Sequence, residues 1–176
     1  MAETQEESSD WGRVHAAILS HQASLIRYAA SIVGERERAK DVVQEVFLKL
    51  CKARWRDVEG HLANWLFRVT RNQALDVLRK EKRMSLFENS ETMERLAGVG
   101  EESITEMRRQ ETIHSLLDLV SQLPGKEREI VTLKFQEGLS YKEISKVTGM
   151  TVSNVGYVLH HAIRNLKSRW KAVESV

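Results

Sequence analysis

SYKEISKVTGMTVSNVGYVLHHAIRNL, Ser140 to Leu166, is the stretch that decides the fold. It reads as two helices joined by a tight turn. Ser140 and Glu143 stand at capping-box spacing, hydroxyl onto an early amide and carboxylate reaching back. Ile144 and Val147 give the first helix an apolar side. Gly149 follows at a position where a helix stops in the left-handed region, which glycine enters without steric cost. Thr151 then caps a second helix. On it Val152, Val155, Leu159, Ala162, Ile163, Leu166 and Trp170 form one stripe near the 3.6-residue period, and Asn154, Tyr157, His161 and Arg164 point away. This pattern is a helix-turn-helix, whose second helix enters a major groove. The alternative is a helical hairpin with a solvated outer face, and the rest of the chain has to discriminate.

The chain has 176 residues and a formal net charge of +2, a length that holds one ordinary domain or two small ones. Charged residues at 30%, aromatics at 6% and a single proline suit a helix-rich protein. No apolar run approaches the roughly 18 residues that span a bilayer. The start, MAETQEESSD, is too acidic for a signal or transit peptide and is expected to be disordered. No membrane insertion is expected, and the cytoplasm is the expected location. Cys51 is the only cysteine, which excludes an intrachain disulfide and a cysteine-based zinc site. Its apolar helical surroundings predict a buried, inert thiol. There is no glycine-rich phosphate loop, no His-Glu metal spacing and no catalytic cluster, so no cofactor, metal or enzymatic activity is expected. His160 and His161 are adjacent on a helix and diverge by about 100°, so they do not chelate.

The modest net charge hides segregation. Glu3, Glu6, Glu7 and Asp10 make the start acidic. Arg68, Arg71, Arg79, Lys80, Lys82 and Arg83 form a basic block opposed only by Asp76 and Glu81. The stretch from Glu88 to Glu111 is acidic again, and from Gly125 onward basic residues dominate. Two basic blocks about an acidic connector suggest two contacts with one polyanion.

A first helix is predicted from a cap at Asp10 to Val33, with Leu25, Tyr28, Ala29 and Ile32 as its stripe and Gly34 as its stop. A second carries Val43, Val46, Phe47 and Leu50 on one face. Asp41, Gln44, Glu45 and Leu48 repeat that spacing on another face, which is either solvated or a docking surface for a basic partner. Ala53 to Gly60 reads as a loop containing Trp55, a candidate for capturing an unstacked base. A long helix follows from His61 to Arg83, buried through Leu62, Leu66, Val69 and Val77. Arg68, Arg71, Asn72, Arg79, Lys82 and Arg83 share another of its faces, spaced to follow a phosphate backbone. Trp65 and Phe67 read as core. Periodicity is lost over 84–105, a linker. Beyond it come a helix from Glu106 to Leu123 with Ile113, Leu116, Leu117 and Val120, and another that opens at Pro124. Ile130, Val131, Leu133 and Phe135 fill the apolar side of that helix. The fold class is all-α: a disordered tail over 1–10, a helical domain over 11–83, the linker over 84–105, and a helix-turn-helix domain over 106–176.

Three segments in this order resemble a family. DVVQEVFLKL, Asp41 to Leu50, resembles the polymerase-binding segment of sigma-70-type sigma factors. WLFRVTRNQALDVLRKEKR, Trp65 to Arg83, is similar to their −10 recognition segment. LPGKEREIVTLKFQEGLSYKEIS, Leu123 to Ser145, is similar to the helices that lead into their −35 reader. Order, spacing and linker length match the small two-domain extracytoplasmic-function group. The resemblance implies that Asp41, Gln44, Glu45 and Leu48 dock on the large-subunit clamp helices of core RNA polymerase. It implies that Trp55, Arg68, Arg71, Asn72, Arg79, Lys80, Lys82 and Arg83 serve the −10 element of promoter DNA. Lys142, Ser153, Asn154, Tyr157, His160, His161 and Arg164 would serve −35 DNA, and an anti-sigma protein is an implied partner. The competing reading is a stand-alone helix-turn-helix regulator with an N-terminal sensor domain. One departure matters. Where the family commonly reads T-V-K-S-R-L-H-R-A, this chain has NVGYVLHHA, Asn154 to Ala162. With those charges missing, a weaker hold on −35 DNA and a shallower salt dependence are expected. Tyr157, His160 and Asn154 would read bases, with Lys142 and Arg164 on phosphates.

Overall fold

A computed structural model describes residues 2–85 and 115–174, with side chains over 11–83 and 115–171. Helices run in the order α1 (Ala2–Val33), α2 (Arg36–Lys52), the short α3 (Trp55–Val58), α4 (Leu62–Ser85), α5 (residues 115–121), α6 (Gly125–Val131), α7 (Tyr141–Thr148) and α8 (Val152–Glu174). Among the described residues there is no strand. The chain divides into two compact units, the first built on α1 to α4 and the second chiefly on α5 to α8.

In the first unit α1, α2 and α4 pack on one another. Leu25, Tyr28 and Ala29 of α1 meet Val43, Val46 and Leu50 of α2 and Leu66, Phe67 and Ala74 of α4, all buried. Tyr28 and Phe67 touch edge to face with ring centroids 5.4 Å apart, an arrangement worth about 0.5–1.5 kcal/mol beyond area burial. Gly34 ends α1 at φ +82, its N–H donating to the Ala30 carbonyl at 2.9 Å. In the second unit Leu119, Leu123, Ile130, Leu133, Ile144, Val155, Leu159 and Ala162 form the core.

Several expectations are corrected. The disordered tail expected over 1–10 is the first part of α1, which begins at Ala2 and not at a cap on Asp10. Ala2, Gln5, Glu6 and Glu7 favour helix, and acidic residues suit a helix N-terminus. The loop expected over 53–60 contains α3 and a 3₁₀ turn over Glu59–His61. The buried side of α4 is Leu66, Phe67, Thr70 and Ala74, while Leu62, Val69 and Val77 are only half-buried. Thr70 is buried in this face although a threonine interrupts its apolar pattern. Leu116 and Leu117 are exposed and Leu119 is buried instead. Phe135 is 61% exposed. Residues Thr132–Gln136 form a π-helical turn, with the Glu137 N–H donating to the Thr132 carbonyl at 3.1 Å. The wider turn rotates Phe135 off the apolar stripe. Cys51 is exposed, since it follows Leu50 by about 100° around α2. The linker expected over 84–105 lies outside the described residues, apart from the backbone of 84–85 that ends α4. The start of the helix expected from Glu106 lies outside them too.

Candidate functional surfaces

Glu35 at the start of α2 makes no side-chain capping bond, and the helix buries an inner stripe of Val42, Val43, Val46, Phe47 and Leu50. That fixes the opposite side outward. Asp41, Gln44, Glu45 and Leu48 are all exposed, as the spacing predicts. Leu48 is 50% exposed, an apolar residue set among carboxylates. Asp41, Gln44 and Leu48 form one wall of a 570 Å³ groove whose other wall is Ile18, Gln22 and Ile26 of α1. Cys51 also lines it.

Helix α4 carries the cationic face. At about 100° per residue Arg68, Arg71, Asn72, Arg79, Lys82 and Arg83 fall within an arc of roughly 120°, with Lys80 to one side. Arg71 is half-buried and the others are exposed. Both acids of the block are engaged. Asp76 pairs with Arg79 at 3.0 Å, and Glu81 pairs with Arg38 of α2 at 2.8 Å. Trp55 opens α3 and is half-buried, with the Arg13 guanidinium 5.8 Å from its ring centroid. A cation from α1 therefore lies over the ring that was a candidate for base capture. Trp65 is half-buried and Phe67 buried.

The helix-turn-helix is formed as its residues dictate. Ser140 accepts from the Glu143 N–H at 3.3 Å, and Glu143 accepts from the Ser140 N–H at 2.8 Å. Gly149 sits at φ +75. Ser145 Oγ donates to the Met150 carbonyl at 2.6 Å and ties the turn. Thr151 Oγ1 accepts from the Asn154 N–H at 3.2 Å, which caps α8. Val152, expected in the buried stripe, is 43% exposed because it stands at the first position of the helix. Lys142, Ser153, Asn154, Tyr157, His160 and Arg164 are exposed together, with Tyr157 at 70%.

His161 departs from the expected reading. Its Nδ1 lies 2.9 Å from Glu127 Oε1, and Asn165 Nδ2 donates to Glu127 Oε2 at 2.9 Å. The His161 side chain is 38% exposed and that of Glu127 only 12%. Tyr157 stacks on the imidazole, with centroids 6.4 Å apart and planes 27° apart. His161 is thus tied to α6 through Nδ1 while its side chain stays partly exposed. Sequence reading missed Glu127 because 34 residues separate the pair and no local spacing betrays it. A Cβ on Gly156 would meet Tyr141 Cε2 at 3.6 Å, so this position faces α7.

Among the described residues no helix is long and apolar enough to cross a membrane, and no cluster of histidine, cysteine and acidic residues could hold a metal. Residues 17–84 match sigma-70 region 2 and residues 113–166 match sigma-70 region 4. The ECF RNA polymerase sigma factor SigL of Mycobacterium tuberculosis is 30% identical over 154 residues, covering 84% of this chain and 82% of the relative. The RNA polymerase sigma factor SigV of Bacillus subtilis is 28% identical over 152 residues, covering 85% and 86%. The fold is shared with CnrH, solved in complex with the cytosolic domain of CnrY, at a TM-score of 0.61 and 21% identity over 96% of this chain and 94% of that one.

The chain belongs to the sigma-70-type sigma factors of RNA polymerase, in the extracytoplasmic-function group. It binds core RNA polymerase and directs transcription initiation at promoters. A regulator with an unrelated sensor domain is not favoured, because the first unit is itself sigma-70 region 2.

Proposed function

We propose that the outward stripe of α2, Asp41, Gln44, Glu45 and Leu48, docks on the basic clamp helices of the polymerase large subunit. Complementary charge would steer the encounter and set the register, and Leu48 would supply desolvated contact within it. The face of α4 formed by Arg68, Arg71, Asn72, Arg79, Lys82 and Arg83, with Lys80 beside it, would then lie on the −10 element. Trp55 would serve the same element. Lys142, Ser153, Asn154, Tyr157, His160 and Arg164 would meet the −35 groove. No chemistry is asked of this subunit, because the polymerase performs the synthesis. It would act in the cytoplasm, where the polymerase works. An anti-sigma protein covering these surfaces is a further proposed partner, supported by the solved complex of CnrH with the cytosolic domain of CnrY.

The observation that carries the reading is the α2 stripe. It is exposed, acidic around an exposed leucine, and on the same unit as an exposed cationic face. The test reverses two charges, Asp41→Lys with Glu45→Lys, and measures holoenzyme formation with core polymerase. Assembly should be lost while melting stays put, since exposed substitutions away from caps and cores shift stability by about 0.5 kcal/mol or less. Holoenzyme that forms unimpaired from this double variant rules the docking surface out.

A further inference from the structure

Glu127 does not belong to the recognition helix, yet it is bonded to two of that helix's residues. Residues Tyr157, His161 and Asn165 succeed one another four apart on α8 and so share one face. The last two are bonded to the same carboxylate, at 2.9 Å each. A carboxylate only accepts, so the 2.9 Å contact requires the proton on His161 Nδ1. The amide nitrogen of Asn165 also lies 3.3 Å from Nδ1, but this longer contact cannot supply the proton that the shorter one needs. Glu127 thereby fixes both the tautomer and the tilt of the imidazole. The first residue of the row, Tyr157, stacks on that ring and is 70% exposed.

We propose that Glu127 is a positioning residue for promoter selection: by holding His161 as the Nδ1–H tautomer, it makes a fixed shelf for Tyr157, which presents its ring and phenol to a −35 base edge. The proposal rests on α8 being the −35 reader. A tyrosine held this way has an apolar ring edge for a thymine methyl and one hydroxyl that both donates and accepts. It selects a base without the long cationic side chains that this helix lacks at Gly156 and Val158. An unsupported tyrosine would sample several rotamers and lose that discrimination through the entropy of ordering.

The test uses holoenzyme made from the full chain, transcribing a promoter library with a fixed −10 element and a randomised −35 element. Tyr157→Ala first identifies the base position that the ring selects. Glu127→Ala should weaken preference at that same position by about five-fold, the scale of one ordinary hydrogen-bonded contact. Combining the two changes should cost no more than Tyr157→Ala alone, because the residues act through one contact. Glu127→Gln keeps an acceptor for the Nδ1 proton and should restore most of the preference, which separates positioning from charge and from folding. Equal weakening of every −35 sequence by Glu127→Ala overturns the proposal, as does failure of Glu127→Gln to restore preference. If Tyr157→Ala alters a position and Glu127→Ala does not, the positioning role alone is overturned. If Tyr157→Ala alters no −35 position, the assignment of α8 falls and takes this proposal with it.

Discussion

Replacing Gly156 by alanine separates what this glycine does for folding from what it does for DNA. The position lies inside α8, where glycine costs about 1 kcal/mol relative to alanine. The added methyl would meet Tyr141 Cε2 at 3.6 Å and Cδ2 at 3.9 Å, ordinary contact distances. No clash offsets the gain in helix propensity. The second unit should therefore be stabilised by about 1 kcal/mol, which for a domain of this size is a rise in melting temperature of about 4–8 °C. Because the methyl points at α7, −35-dependent transcription should not change. Thermal unfolding of the full chain, followed by circular dichroism, reads the first quantity. Transcription from paired promoters with and without a −35 element reads the second. A lowered melting temperature would mean that the added methyl is crowded against Tyr141 and the contact is not an ordinary one. A raised melting temperature with loss of −35 dependence would mean that the glycine admits the DNA backbone, and the assignment of this side to Tyr141 would be refuted.

Comparing the salt dependence of holoenzyme binding on promoters with and without the −35 element isolates the second unit's phosphate contacts. Lys142 and Arg164 are the exposed cations assigned there, so the two slopes should differ by about 2, at about 0.9 per phosphate. A difference of about 5 or more would contradict the charge-poor recognition helix. Cys51 lines the groove beside the docking stripe and should react readily with a maleimide in the free chain. Core polymerase should protect it, and equal labelling in the holoenzyme would place the interface elsewhere. Ser140→Ala removes half of the capping box and should cost about 1 kcal/mol in urea unfolding of the second unit. An unchanged unfolding midpoint would show that the Ser140–Glu143 box adds nothing to the start of α7.

Much of the fold was legible because it is written locally. The box at Ser140 and Glu143, the left-handed Gly149 and the cap at Thr151 each act within four residues of themselves. The two stripes of α2 follow directly from the helical period, and so does the cationic arc of α4. What escaped has a non-local or off-period cause. The bond between Glu127 and His161 joins residues far apart in sequence, and nothing at either position announces the other. Counting at 3.6 residues per turn puts Phe135 on the apolar side, but the chain widens to a π turn there. The burial of Thr70 leaves no trace in an apolar pattern. The apolar neighbours of Cys51 suggest burial, but its angle on α2 puts it outside.

The packing of α2 on both α1 and α4 has a mechanical consequence. Helix α2 presents its stripe to solvent, buries its other side against α1 and α4, and clasps α4 again near its end. It is built as a strut rather than an appendage: a pull on its outer edge is passed to the arginine-bearing helix through the side chains the two bury together.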